Sequence, residues 1–363
     1  MQQLQHRLRP ESCITLIQNG MGVYDELCTT IWPDPVTRPQ FILGSTTHGA
    51  RLWTPKKAKP TSGGGLEFER SVVHTGEGEV VFGVVPDPRR EVDYDQRLFG
   101  LDSAGNGTQQ YSLAMPIDSP RLPLPSLSPS TSNERTTQTP LEATLTALLS
   151  LHELNPSLLP MPNMYRSLLQ KLAVNCAVNP TTGLLAVLNG ALVGSPHAGW
   201  LIRAIVEECS EVMTKYLASL ASPTTTSADG TTHSPLDPET VAAFSPDSLE
   251  RRTLQVLATT ARNTSSMASD MSRLSLANPN SSTSSGGTEI EYITGYLARL
   301  GERMGIPTPV NRTMLELVKG KEEIYGMSPG MVVRSPDARV ETRRANMGKK
   351  KVVEKQETVT AKI

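Results

Sequence analysis

Lys171, Asn175 and Asn179 stand four residues apart in the stretch Lys171-Leu-Ala-Val-Asn175-Cys-Ala-Val-Asn179-Pro, which runs on to Asn189-Gly190. At 3.6 residues per turn the three form one polar row on a helix. Every residue between them is apolar: Leu172, Ala173, Val174, Cys176, Ala177 and Val178. A helix that is apolar on all its other sides is buried, so an ammonium and two carboxamides are expected to face something other than bulk water. A buried lysine without a partner is costly and tends to give up its proton. Two readings fit these residues. In one, a pocket lets Lys171 donate to a ligand. In the other, Lys171 reaches solvent along its stem and the asparagines cap loops.

The elements around this row follow from local pattern. Residues 12–18 read as a short buried strand, Asn19-Gly20 and Gly22 as a turn, and Val23 to Thr30 as a helix. Phe41-Ile-Leu-Gly is a second strand, and strand–helix–strand is the α/β pattern. Arg51-Leu-Trp53 and Ser71-Val-Val-His74 read as further strands. Thr75-Gly-Glu-Gly78 then turns the chain into a strand over residues 79–85, the whole read as an antiparallel hairpin appended to the sheet. Leu141 to Leu154 has helical spacing. Residues 164–220 read as helical with interruptions at Pro180, Gly190 and Ser195-Pro196, and residues 202, 205, 206, 209, 212 and 213 form an apolar stripe. Glu289 to Met304 reads as one helix closed by Gly305, and Asn311 as the cap of a last helix from Thr313 to about Tyr325.

Composition bounds the class. The chain has 363 residues, 37% hydrophobic and 4% aromatic, which fits two folded domains diluted by polar insertions. A formal net charge of -1 supplies no global field for nucleic acid. Cys13, Cys28, Cys176 and Cys209 lack metal-like spacing and read as reduced thiols. No run of apolar residues is long enough for a membrane span, and the start lacks the apolar core of a signal peptide. Residues 118–140, 222–238 and 276–287 are rich in Pro, Ser, Thr or Gly and read as disordered insertions. The tail beyond residue 330 has nine Lys/Arg against four Asp/Glu from Arg334 on and reads as a solvated basic extension.

Three stretches resemble the ketopantoate reductase (2-dehydropantoate 2-reductase) family and occur in its order. They are Leu16-Ile-Gln-Asn19-Gly-Met-Gly22, the Lys171 row with Asn189-Gly190, and Ser265-Ser266-Met267 followed by Thr288-Glu289-Ile290. The resemblance implies a fold of α/β plus all-α type. A Rossmann-type NADP-binding domain over residues 1–117 is followed by a helical catalytic domain over 141–330, of the 6-phosphogluconate dehydrogenase-like type. No G-x-G-x-x-G follows a strand: Gly63-Gly-Gly65 follows a loop, and Gly76-Glu-Gly78 has Val81 at the third position. The Rossmann half is therefore read as incomplete and N-terminally truncated, lacking its first βαβ units.

The family's activity is NADPH-dependent reduction of a small 2-keto acid, ketopantoate, to (R)-pantoate in pantothenate and coenzyme A biosynthesis. By resemblance Lys171 is the general acid, and Glu289 the carboxylate beside lysine and nicotinamide. Asn175, Asn179, Asn189 and Ser266 contact substrate, with Asn263 a weaker candidate. Asn19 and Ala50 contact the cofactor. No metal is implied. His48 is assigned no role, and the remaining histidines show no metal-like company. A homodimer fits the resemblance. The cytoplasm is the expected compartment, and a mitochondrial address stays open. Two alternatives remain: a non-catalytic family member acting as a dimerisation or interaction module, and a reductase of another 2-keto acid.

Overall fold

The computed structural model describes residues 2–53, 59–60, 66–67, 71–87, 94–99, 139–220, 236–276 and 287–327. After a 3₁₀ turn over Gln2–Arg7, strand β1 (Cys13–Leu16) leads through the Asn19–Gly22 turn into α1 (Val23–Thr30). β2 (Gln40–Thr46) pairs parallel with β1. β3 (Gly49–Trp53) and β6 (Ser71–Gly76) form an antiparallel ribbon, with β4 (Lys59–Pro60) and β5 (Leu66–Glu67) paired between them in sequence. β7 (Val80–Val84) lies antiparallel to β2, and β8 (Pro156–Leu158) parallel to β7, giving the sheet order β1-β2-β7-β8. α2 (Tyr94–Phe99) and α3 (Pro140–Leu149) complete this unit.

Side chains alternate across a strand, and β2 is covered on both faces. Phe41 and Leu43 pack with Leu27, Trp32, Met161 and Met164, while Ile42 packs with Phe82, Val84, Leu141 and Leu145. Two expectations are corrected here. The strand at residues 80–84 does not pair with β6: it enters the main sheet, because Val80, Phe82 and Val84 bury their faces against α3 while β6 is largely exposed. β1 is only partly buried, since it is an edge strand. α3 and β8 also pack into this sheet, so the α/β unit extends past residue 141.

The helical unit begins with α4 (Met161–Leu185) and a 3₁₀ turn, Asn189–Leu192. α5 (Pro196–Leu220), α6 (Pro238–Ala243), α7 (Pro246–Thr259) and α8 (Ser266–Leu276) follow. A 3₁₀ turn over Ile290–Tyr292, α9 (Thr294–Met304) and α10 (Pro309–Met327) close it. α4 is buried nearly all round, as its apolar run predicts, and Leu169, Leu172, Cys176 and Ala177 have at most 1% of their surface exposed. The α5 stripe is likewise buried at Ile202, Ile205, Val206, Cys209, Val212 and Met213.

Three local expectations fail for physical reasons. Pro180 does not interrupt α4. It removes one backbone donor, but the hydroxyls of Thr181 and Thr182 bond back to Ala177 O and Val178 O at 2.8 Å within the same turns. Glu289 to Met304 is not one helix: Ile293 (φ -101°, ψ -93°) breaks it into a 3₁₀ turn and α9. Asn311 is not a cap but an interior residue of α10, fully buried, with Nδ2 donating to Glu208 Oε2 at 2.7 Å. The cap is Glu208 from α5, whose carboxylate accepts from the N–H groups of Val310 and Asn311.

Of the low-complexity stretches, residues 118–138, 222–235 and 277–286, and the tail from 328, lie outside the described residues. Thr139 and Pro140 instead form the capping box and first turn of α3. Asp237 caps α6. Among the described residues no helix is long and apolar enough to cross a membrane.

Candidate active site

α4 carries the polar row toward the carboxyl ends of the two parallel strands. Lys171 Nζ donates to the carbonyl of Thr46, the last residue of β2, at 2.8 Å. Asn19 follows β1 at the same end of the sheet, where parallel strands open the crevice that α/β folds use for ligands. Its Nδ2 donates to Glu289 Oε2 at 3.1 Å across 270 residues of sequence. Glu289 stands before the 3₁₀ turn rather than in the first turn of a helix, so its carboxylate is turned to Asn19 instead of spent on its own backbone.

The electrostatics of the pair are opposed. Burial holds the Lys171 ammonium below its ordinary lysine range, and the Glu289 charge works against that. Burial pushes the Glu289 carboxyl up. The hydrogen bond from Asn19 pulls it down, Asp270 on α8 raises it, and the Lys171 charge lowers it. Desolvation dominates at both residues, as it does when ionisable groups leave water.

A second group lies further along α4. Asn175 is half-buried between Lys171 and Asn179, its carboxamide bonded to none of the described residues. Asn179 is 7% exposed and its Nδ2 lies 3.5 Å from Ser266 Oγ, too long for a strong bond. Ser266 is not the helix cap. Ser265 performs that task, accepting from Ala268 N–H at 3.1 Å and sharing a 2.7 Å bond with Thr182, which leaves the Ser266 hydroxyl to Asn179.

Asn189 is buried. Its N–H donates to Asn263 O at 3.0 Å and its Nδ2 to Thr260 Oγ1 at 2.9 Å. Its Oδ1 is buried with no hydrogen-bond partner among the described residues, an arrangement that folded proteins seldom leave unused. Asn263 is exposed and acts through its carbonyl. Ala50 is exposed in β3 opposite His74 and joins neither group. The structure thus brings Lys171, Glu289 and Asn19 together, pairs Asn179 with Ser266, and sets Asn189 with Asn263 on the flank of α7.

Sequence reasoning missed Thr46, because a backbone carbonyl carries no sequence signal. It also missed Asp270, whose spacing of four from Ser266 on α8 was legible. His48 bonds His74 at 3.0 Å and Leu154 O at 2.9 Å, pinning the β3–β6 ribbon to the main unit. A groove of about 750 Å³ lies elsewhere, between α1 and α9, lined by Asp25, Glu26, Arg299 and Arg303 among others.

The family model described as "Ketopantoate reductase PanE/ApbA" matches residues 1–87, and its C-terminal counterpart matches residues 163–322. A 2-dehydropantoate 2-reductase of Vibrio cholerae is 33% identical over 164 residues, covering 45% of this chain and 43% of the relative. One of Yersinia pestis is 25% identical over 319 residues, covering 88% of this chain and 68% of the relative. The chain thus spans less than half the length of the Vibrio relative. D-mandelate dehydrogenase, solved with NADH and anilino(oxo)acetate, superposes with a TM-score of 0.53 at 18% identity, over 90% of this chain and 72% of that one, a likeness of fold. With both parts of its fold matched in order by the family models, the chain belongs to the ketopantoate reductase family.

Proposed function

We propose that the chain is a 2-dehydropantoate 2-reductase that reduces ketopantoate to (R)-pantoate with NADPH, a step of pantothenate and coenzyme A biosynthesis. The observation that carries this reading is the half-buried Lys171 ammonium, held by Thr46 O within reach of the Glu289 charge at the carboxyl ends of β1 and β2. Family membership and the relatives' names support it.

The donor set fits the nicotinamide end of the cofactor. Asn19 closes the crevice with a carboxamide, Glu289 lies opposite, and the hydrogen bond between them holds both. When bound, the cofactor supplies hydride. The protein's own work is proton delivery and orientation. An ammonium has three donors, and Thr46 O occupies one. The others are free to polarise a keto oxygen and pass it a proton as alkoxide develops. Its lowered pKa makes Lys171 a stronger acid than a solvated lysine, while the Glu289 charge opposes that lowering. Asn175, Asn179 and Ser266 would hold the substrate's hydroxyl and carboxylate, and the unpaired Asn189 Oδ1 would accept from the substrate or a bridging water.

Loss of NADPH absorbance with ketopantoate is the expected result for the full chain, reduced at least about a thousandfold in kcat by Lys171→Ala. Absence of turnover with ketopantoate sinks the proposal. That no strand of this sequence is followed by G-x-G-x-x-G supports a second reading, an interaction module without a dinucleotide. Titration of the full chain with NADPH separates the two, because micromolar binding refutes the module.

A further inference from the structure

Asn19 and Glu289 belong to different units, and nothing local sets their 3.1 Å bond. The joint between their turns is built from backbone. Gly20 (φ +81°) and Gly22 (φ +96°) adopt the left-handed region. A Cβ on Gly20 would strike the Tyr292 carbonyl, and one on Gly22 would meet the Tyr296 ring. Met21 N–H donates to Tyr292 O at 2.7 Å, and Tyr292 N–H donates back to Glu289 O at 3.0 Å. The turn carrying Asn19 therefore rests on the turn carrying Glu289.

A second side-chain bond ties the 3₁₀ turn to α1, the helix that follows the Asn19 turn. Tyr292 OH donates to Glu26 Oε2 at 2.9 Å, in the first turn of α1. Both residues line the groove between α1 and α9, whose lining does not include Lys171, Asn19 or Glu289. We infer that Tyr292 and Glu26 are positioning residues: their bond clamps α1 to the 3₁₀ turn and so holds the Asn19 carboxamide on Glu289. This rests on the proposed site, but the clamp itself can be read without turnover.

Tyr292→Phe keeps the ring and the backbone and removes only the hydroxyl. Exchange of the Met21 amide should quicken about fivefold, the equilibrium worth of one net hydrogen bond, while amides in the α4–α5 core hold. Glu26→Ala should do the same, and the double variant no more than either. Glu26→Gln, whose carbonyl oxygen still accepts from the hydroxyl, should restore most of the protection. An unchanged Met21 amide in Tyr292→Phe, or full additivity in the double variant, overturns the clamp. The second readout is kinetic. kcat for ketopantoate reduction should fall about fivefold in Tyr292→Phe with KM and thermal midpoint little moved, and an unchanged kcat beside faster exchange overturns the positioning role. A parent chain without turnover overturns the proposed function and leaves the exchange result to decide the clamp.

Discussion

Lys171 and Glu289 are displaced in opposite directions by one cause, removal from water, and each limits the other's displacement. The consequences for stability have opposite signs. Glu289's folded pKa is raised, so its contribution is complete below the ordinary glutamate value and is lost as pH climbs from there through the raised value. Lys171's folded pKa is lowered, so its contribution is present above the ordinary lysine value and is lost as pH falls through the lowered one. Urea midpoints measured from pH 4 to 10 should therefore show a decline on the acid side that Glu289→Gln flattens. Lys171→Met should flatten the rise on the alkaline side. Slopes identical to the parent in both variants would remove the basis for treating the two as a partly desolvated pair. The candidate site was partly legible at this scale: the row of Lys171, Asn175 and Asn179 shows in spacing alone. Its backbone partner was not, because any residue at position 46 offers the same carbonyl.

Elements were legible where burial is periodic and illegible where a distant group completes them. α4 and the α5 stripe follow from their apolar pattern, and α1 from the Asn-Gly-Met-Gly turn before it. The start of α10 is different. Its first N–H groups are satisfied by Glu208, about a hundred residues earlier, and no local reading finds such a cap. Asn311, the apparent cap, is drawn inside by the same carboxylate and by Ile205 O. Glu208→Ala should cost about 2–3 kcal/mol by leaving charged-acceptor bonds unmade, measured by urea unfolding. NADPH and ketopantoate constants should stay at parental values. A loss below about 0.5 kcal/mol would show that water replaces the carboxylate without penalty.

At the scale of the molecule, α4 is shared by two cores. Met161 and Met164 pack with Phe41, Leu43 and Val85 from the α/β unit, while the stretch from Leu169 to Val178 lies in the core that α4 forms with α5, α7 and α8. Gly83 of β7 lies against Met164 so closely that a Cβ would press on its side chain. A helix common to both cores couples their unfolding. Thermal melting should show one transition, and Met164→Ala should lower it by the equivalent of about 2–4 kcal/mol without splitting it. Two resolved transitions in the parent chain would show that the units fold independently.

The amino-acid sequence by itself determined what is local or periodic. It placed strand–helix–strand at the start, a buried helix with a polar row, helical segments beyond it, and family motifs in order. Tertiary structure alone decided what depends on groups far apart in the chain. It put β7 beside β2 rather than β6, parked Lys171 on Thr46, and turned Glu289 toward Asn19 by breaking the helix at Ile293. The physical reason is that a hydrophobic period declares which face is buried, whereas hydrogen-bond partners and electrostatic neighbours are chosen only when the buried faces meet.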